Sequence, residues 1–146
     1  MAFKTSVIAL SAKAAQKFRS PAPYVIVQVT DPRTKHPYIH DHSGLQATIG
    51  FHFDDILPVA SADIHGFSSY IPMDVQQAER IARFVKAWWE KVETIIVHCH
   101  AGISRSVGIA LAIREFYGQN ADALHTEPKR YNRHCYELMT EALRHG

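Results

Sequence analysis

The stretch Ile95–Ser106, which reads IIVHCHAGISRS, decides the fold of this chain. Its apolar beginning is typical of a buried strand that delivers Cys99 into a short loop. The segment Val107–Ile113 that follows is apolar enough to be a buried helix. Strand, loop and helix in this order indicate an α/β domain, in which the loop lies at the carboxyl end of a strand, where open α/β sheets place ligands.

The same loop has the properties of an anion-binding cradle. Its backbone N–H groups would point inward, and the helix N-terminus adds a partial positive charge that favours the thiolate form of Cys99. The planar fork of Arg105 can hold two phosphate oxygens, which lysine cannot do, and Ser106 can donate a hydrogen bond to the leaving thiolate. These residues predict a nucleophilic cysteine that acts on a phosphate group. The residues predicted to bind the substrate are His100, Ala101, Gly102, Ile103, Ser104 and Arg105.

The pattern H-C-x2-G-x2-R-S resembles the signature of the protein tyrosine and dual-specificity phosphatase superfamily. The C-x5-R spacing alone is a weak signal, whereas His98, Gly102 and Ser106 together with the flanking strand and helix make the match specific. A cysteine that merely ends a buried strand, beside an arginine paired with some acid, would need neither the glycine nor the serine. The resemblance implies a metal-independent hydrolase of phosphomonoesters, acting on phosphotyrosine, or on phosphoserine and phosphothreonine as well.

Most of the chain is also similar to a group of small predicted bacterial tyrosine phosphatases. The shared features are an opening strand–helix–strand unit, an acidic strand end, a long loop, an amphipathic helix and the motif H-C-x-A-G-I-S-R-S. The implied fold is a tyrosine/dual-specificity phosphatase-like α/β domain over residues 1–146, with a mostly parallel central sheet of four or five strands flanked by helices.

The composition indicates an ordinary globular domain. The 146 residues are 47% hydrophobic and 21% charged, which suffices for a single core. We expect a cytoplasmic location, because there is no signal-peptide pattern or membrane-length apolar stretch and a working thiolate needs a reducing compartment. The net charge of +2 is too small to imply nucleic acid, so no nucleic acid is expected as a partner. Because no apolar stretch approaches the length of a membrane span, no membrane is expected either. The expected partner is a phosphorylated protein or peptide, and no oligomeric state is predicted.

Periodicity and capping signals predict the remaining elements. The predicted strands are Val7–Leu10, Tyr24–Val29, Ala47–Phe53 and Thr94–Val97. The predicted helices run from a Ser11 cap to about Phe18, from an Asp74 cap with its capping-box partner Gln77, from the cysteine loop to near Gly118, and from Pro128. The predicted apolar stripe of the second helix is Val75, Ala78, Ile81, Ala82, Val85, Trp88 and Val92. The predicted inner face of the last helix is Tyr131, Cys135, Leu138, Met139 and Ala142.

Phosphoryl transfer also needs an acid that protonates the leaving oxygen. Asp54 and Asp55 follow a strand whose carboxyl end should lie near the cysteine loop. The phrase Phe53-Asp54-Asp55 resembles the Phe-Asp-Asp of the phosphatases of regenerating liver, in which the second aspartate is the acid. Asp55 is therefore the predicted general acid, with Asp54 second. Asp63, inside the loop 56–72 and at a more usual distance before the cysteine, is the third candidate.

The histidines offer ligand types but no metal site is predicted. His98 and His100 flank Cys99, yet zinc on that cysteine would face the positive charge of Arg105. We expect His98 to order the loop through hydrogen bonds and His100 to be a loop residue at the substrate side. No cofactor is predicted. Cys135 is expected to be a small core residue.

Two other functions share the loop. One is a phosphate-binding interaction module with little turnover, and the other is a phosphatase that acts on a non-protein phosphomonoester. Only an enzyme needs the acid, so the Asp54-Asp55 pair favours catalysis. Sulfur transfer in a loop that resembles that of rhodanese would not require Gly102, Arg105 and Ser106 in this order. Arsenate reductases of the small-phosphatase type carry the loop near the N-terminus, whereas here it lies late in the chain.

Overall fold

A computed structural model describes residues 2–56, 70–120 and 131–145. It is an α/β structure, as the sequence predicts. The strands are β1 (Ser6–Ser11), β2 (Tyr24–Thr30), β3 (Leu45–His52) and β4 (Thr94–Cys99). The helices are α1 (Ala12–Lys17), α2 (Val75–Trp88), α3 (Arg105–Phe116) and α4 (Arg133–His145).

The four strands form one parallel sheet in the order β1-β4-β2-β3. Strand β4 therefore lies between β1 and β2, and Cys99 at its carboxyl end is opposite Ser11 in the β1 register. On the other side His98 is opposite Gln28 of β2. The ends of β1 and β2 thus flank the cysteine loop, and the residues that follow these strands are placed to contact it.

The sheet is covered on both faces. Alternate residues of β2 and β4 divide between two apolar clusters, because successive side chains of a strand point to opposite faces. Val27 and Val97 join the large core under α2, α3 and α4, whereas Ile26 and Ile96 join the small cluster under α1. Double coverage explains why the central strands are continuous apolar runs.

The helix ends follow their capping residues. The Asp74 side chain accepts a hydrogen bond from the backbone of Gln77, and the Gln77 side chain accepts one from the backbone of Asp74, so the predicted capping box is confirmed. Ser11 caps α1 as predicted. Helix α3 ends at Phe116 with Tyr117 as its C-cap, and the next residue, Gly118, has a φ of +71°, the left-handed conformation that favours glycine after a helix end.

The predicted stripe of α2 needs correction at both ends. Val75 is 58% exposed, because it is the first residue of α2 and precedes the turn at which the helix reaches the core. The helix ends at Trp88, so Val92 is buried in the core from the segment that follows the helix.

The predicted start of the last helix also needs correction. Helix α4 begins at Arg133, where Asn132 Oδ1 accepts a hydrogen bond from Cys135 N, so Tyr131 precedes the helix. Pro128, the predicted start, lies outside the described residues. None of the helices within the described ranges is long and apolar enough to span a membrane.

Candidate active site

Cys99 lies at the last position of β4 with its sulfur close to two hydrogen-bond donors. The side chain is buried, Sγ is 3.1 Å from Ser106 Oγ, and Gly102 N donates to the same sulfur at 3.3 Å. Both groups can stabilise negative charge on sulfur, the amide as a fixed donor and the hydroxyl by rotating its proton. One amide of the loop and one hydroxyl of α3 are therefore directed at the Cys99 sulfur.

Gly102 allows the loop to pack against the end of β1. Its φ is +76°, and a Cβ there would lie 2.5 Å from Ser11 N and 2.6 Å from Leu10 C. Backbone atoms cannot give way as a flexible side chain can, so only glycine fits. The carbonyl of His100 also accepts a hydrogen bond from Ala12 N at 3.2 Å, which fastens the loop to the start of α1.

The start of α3 is in close contact with the start of α4. The Ser104 carbonyl accepts hydrogen bonds from Gly108 N at 2.9 Å and from Asn132 N at 3.1 Å. A Cβ on Gly108 would lie 2.5 Å from Asn132 O, so the glycine permits this approach. The contact brings Asn132 to the edge of the cysteine loop.

Arg105 is buried and held at one nitrogen. Its Nη1 donates to Asp31 Oδ1 at 2.8 Å and to the Phe53 carbonyl at 2.7 Å. Its Nε is buried and has no hydrogen-bond partner among the residues that the structure describes. The guanidinium is thus fixed beside the cysteine loop by the ends of β2 and β3.

Asp55 lies against the cysteine loop, on the side of Ser104. A single oxygen, Oδ1, accepts from Ser104 Oγ at 2.7 Å and from Asn132 Nδ2 at 2.8 Å. The residue is exposed, so the carboxyl is held in place while remaining open to solvent and to a ligand.

Asp54 has a different environment. It is buried, its Oδ2 accepts from Ile71 N at 2.8 Å, and its Oδ1 is 3.4 Å from Arg33 Nη2. Asp54 N also donates to the Ile71 carbonyl at 2.6 Å. These bonds tie the end of β3 to the segment before α2, and they occupy both oxygens of Asp54. The third candidate, Asp63, lies outside the described residues.

The two histidines beside Cys99 differ in exposure. His98 is fully buried, with Nε2 3.1 Å from Gln28 Oε1 on the neighbouring strand. Burial lowers the pKa of His98 to about 4, against an opposing contribution from the Cys99 backbone, so the ring is neutral at pH 7. Its side-chain hydrogen bond therefore joins two strands beneath the loop. His100, on the other side of Cys99 in the sequence, is exposed.

A cleft of about 330 Å³ adjoins the cysteine loop. Its lining includes His100 of the loop and Asp31, the first residue after β2. Its lining combines apolar and polar residues, namely Ala12, Val29, Thr30, Asp31, Thr34, Lys35, Pro37 and His100. The cleft therefore offers space for a group attached to an anion bound in the loop.

Sequence reasoning missed Asp31 and Asn132. Asp31 directly follows β2, which neighbours β4, so the rule that parallel strands end at one edge of the sheet was a usable signal. Asn132 had no such signal, because the last helix was expected to begin before it. Cys135, by contrast, is buried in the core as predicted, and burial raises the pKa of its thiol.

Within residues 2–56, 70–120 and 131–145, no group of three or more His, Cys, Asp or Glu side chains is arranged to hold a metal ion. His40 and His42, two histidines close to each other in the sequence, make other contacts. His42 Nδ1 accepts from Gly44 N at 3.3 Å, and the His40 ring packs edge-on against Tyr38.

Comparisons with known proteins show the fold alone. No family model matches this chain, and neither does any curated protein. The structure is similar to the crystal structure of Tk-PTP in the active form, with a TM-score of 0.51 and 15% sequence identity. The match covers 97% of this chain and 92% of that chain. The chain therefore has a fold like that of a protein tyrosine phosphatase.

Proposed function

We propose that this protein is a cysteine-dependent protein tyrosine phosphatase that hydrolyses phosphomonoesters through a cysteinyl-phosphate intermediate. The observation that carries the proposal is the environment of the Cys99 sulfur, with Gly102 N and Ser106 Oγ as donors. The likeness in fold to a tyrosine phosphatase supports the same reaction class. A thiolate needs a reducing compartment, which fits a cytoplasmic location.

In the first step the Cys99 thiolate attacks phosphorus, and the bond from phosphorus to the ester oxygen breaks. Arg105 and the loop amides hold the other phosphate oxygens as charge develops on them. The leaving oxygen takes a proton from Asp55, whose carboxyl is fixed through Oδ1 by Ser104 and Asn132. The products of this step are the alcohol and the cysteinyl-phosphate.

In the second step water attacks the cysteinyl-phosphate. Asp55, now a carboxylate, takes the proton from this water, and the bond from sulfur to phosphorus breaks to release inorganic phosphate. The departing thiolate accepts a hydrogen bond from the Ser106 hydroxyl, 3.1 Å away in the free protein. Both steps use the protein's own side chains, and each proton is accounted for.

The cleft beside the loop supports an aryl phosphate as substrate. Its walls include Ala12, Val29 and Pro37, which suit the ring of a phosphotyrosine. The exposed residue His100 also lines the cleft and would contact the group that carries the phosphate.

The experiment is an assay with EDTA present on phosphotyrosine, phosphoserine and phosphothreonine peptides, phosphoinositides and nucleotides. We expect release of inorganic phosphate, fastest from phosphotyrosine peptides. Cys99→Ser is the matched control, because it keeps the cradle and lacks the nucleophile.

Retained activity above about one per cent in Cys99→Ser would contradict the covalent mechanism. Phosphopeptide binding without turnover by the wild type would make the protein an interaction module. Preferred turnover of a lipid or nucleotide would move the substrate to a non-protein phosphomonoester.

A further inference from the structure

One wall of the cleft beside the cysteine loop is a short piece of the segment that joins β2 to β3. Thr34, Lys35 and Pro37 line the cleft, whereas the His36 side chain, between them in the sequence, makes its contacts with the sheet. Thr34 and Lys35 are exposed. An exposed wall of this kind keeps its position only where a neighbouring residue attaches it to the rest of the protein.

The His36 ring provides such an attachment. Its Nδ1 lies 2.6 Å from Oγ1 of Thr30, the last residue of β2. The ring also packs against His52, the last residue of β3, with 4.2 Å between the ring centroids. Burial and the neighbouring His52 lower the pKa of His36, so the ring is neutral at pH 7. The ring is therefore held uncharged against the ends of two neighbouring strands.

Gly50 leaves the space that the His36 ring occupies. Gly50 lies within β3 and does not have a positive φ, so its backbone conformation does not require glycine. A Cβ on Gly50 would lie 2.5 Å from His36 Nε2 and 2.9 Å from His36 Cδ2. A glycine inside a strand weakens the strand, and it often marks the close approach of another group. Here the group that approaches is the His36 ring.

We propose that His36 is a positioning residue that makes the site selective for aryl phosphates. By fixing its neighbours Lys35 and Pro37 it shapes the wall that contacts the ring of the substrate, while the phosphate group is bound by the cysteine loop. This inference rests on the proposed function, since it takes the cleft to hold the group that carries the phosphate. His36 itself does not contact the phosphate and transfers no proton.

Two variants act on this attachment from opposite sides. His36→Ala removes the ring, and Gly50→Ala keeps the ring but places a Cβ where it lies. Both should release the wall by the same route, so Gly50→Ala should have no further effect once residue 36 is alanine. His40→Ala is the matched control, because His40 is an exposed histidine of the same segment.

The test measures binding and turnover for each variant. Calorimetry gives the affinity of phosphotyrosine and of inorganic phosphate for the Cys99→Ser protein. Kinetics with Cys99 intact compare a phosphotyrosine peptide with acetyl phosphate, which carries no aromatic ring.

We expect His36→Ala and Gly50→Ala each to raise the Kd of phosphotyrosine and the KM of the peptide roughly tenfold, with kcat within about twofold, because the lost contacts bind substrate and transition state alike. The affinity for inorganic phosphate and kcat/KM for acetyl phosphate should stay within about twofold of the parent, since neither ligand reaches the wall. Damage to the cysteine loop would instead weaken all four ligands together. His40→Ala should change none of these quantities.

Three results would overturn the inference. They are parental affinity for phosphotyrosine in either variant, an equal loss for phosphotyrosine and for the ligands without a ring, and losses that add in the double variant His36→Ala/Gly50→Ala. Thermal unfolding shows whether each variant is folded. If His36→Ala does not fold, the affinities of Gly50→Ala decide the outcome.

Failure of the proposed function gives a different pattern. If the wild type hydrolyses no phosphomonoester but the affinity for phosphotyrosine falls as expected in the variants, the enzyme proposal fails and the positioning role stands. If turnover is present and both variants bind phosphotyrosine as the parent does, the reverse holds.

Discussion

At the residue scale, two adjacent aspartates are assigned different tasks by their surroundings. Asp54 is buried and both of its oxygens are within reach of Ile71 N or Arg33, so it fastens the end of β3. Asp55 points to the cysteine loop and is held through one oxygen by Ser104 and Asn132. Both residues follow the end of β3 and their side chains make different contacts, so one step along the chain separates a structural carboxylate from the candidate acid.

We predict that Asp55→Asn lowers kcat for a phosphotyrosine peptide by about two to four orders of magnitude, the usual contribution of general acid catalysis. The loss should shrink sharply for aryl phosphates with acidic phenols, because such leaving groups depart as anions. The alkaline limb of the pH–rate profile should flatten, since the proton lost there belongs to the acid. A leaving-group series measured across pH checks both effects.

Asp54→Asn is the matched control for that prediction. It should keep both limbs of the profile and its leaving-group dependence, with its main effect on stability. A bell-shaped profile that persists in Asp55→Asn and disappears in Asp54→Asn would exchange the two assignments. Retention of both limbs in each variant would direct attention to Asp63.

His98 gives a pH dependence of stability whose sign can be worked out. Its pKa is about 4 in the folded protein and near 6.5 in an unfolded chain, so the unfolded state binds more protons between these values. The free energy of unfolding therefore falls as the pH is lowered through this window, by about 3 kcal/mol in total. Urea unfolding of the wild type and of His98→Asn, at several pH values from 7 to 4, measures the difference in slope.

The exposed residue His40 supplies the control for His98. We expect His40→Asn to follow the wild-type pH dependence, whereas His98→Asn should be less stable at pH 7 but lose less on acidification. Parallel curves for the wild type and His98→Asn would mean that His98 is not held neutral by burial.

At the scale of elements, the strand, loop and helix around Cys99 depend on close backbone approach. Gly102 brings the loop onto the end of β1, and Gly108 brings α3 onto the start of α4. Gly102 is part of the sequence motif, so the resemblance already identified it as a residue of the loop. The second lies within a helix, where sequence alone gives no reason for its presence, and its contact is with a residue distant in the chain.

We predict that Gly102→Ala lowers the free energy of unfolding by about 2 kcal/mol or more, since the added Cβ would be strained and would overlap backbone atoms. Gly118→Ala is the matched control. Gly118 also has a positive φ, but a Cβ at this position would meet no atom of the described residues within 4 Å, so only the strain of about 1 kcal/mol should remain. Chemical denaturation of both variants gives the comparison. Equal losses in the free energy of unfolding would show that the overlap of the added Cβ with β1 adds nothing to the backbone strain.

At the scale of the whole molecule, strand order assembles the site. The order β1-β4-β2-β3 puts the ends of β2 and β3 beside the cysteine loop, so that Asp31 and the Phe53 carbonyl reach Arg105. Asn132, from the start of α4, reaches Asp55. These contacts join residues that are far apart in the chain, and the site exists only when the sheet is complete.

The same scale separates what could be predicted from what could not. Local signals predicted the α/β class, the capping box of Asp74 and a helix end near Gly118, because each depends on residues close in sequence. They did not predict the partner of Arg105, since that pairing depends on which strands are neighbours. The start of α4 was also missed, because Asn132 competes with Pro128 as a start signal and periodicity does not decide between them.

The central claim, a phosphate covalently attached to Cys99, is tested most directly by trapping it in Ser106→Ala. Loss of the Ser106 hydroxyl should slow breakdown of the intermediate more than its formation, because the thiolate is then the leaving group. Rapid mixing with p-nitrophenyl phosphate should give a burst of about one p-nitrophenol per protein, and mass spectrometry of the quenched protein should place one phosphoryl group on Cys99. The double variant Cys99→Ser/Ser106→Ala should show neither. A phosphoryl group on any other residue, or a burst that survives without Cys99, would contradict the account.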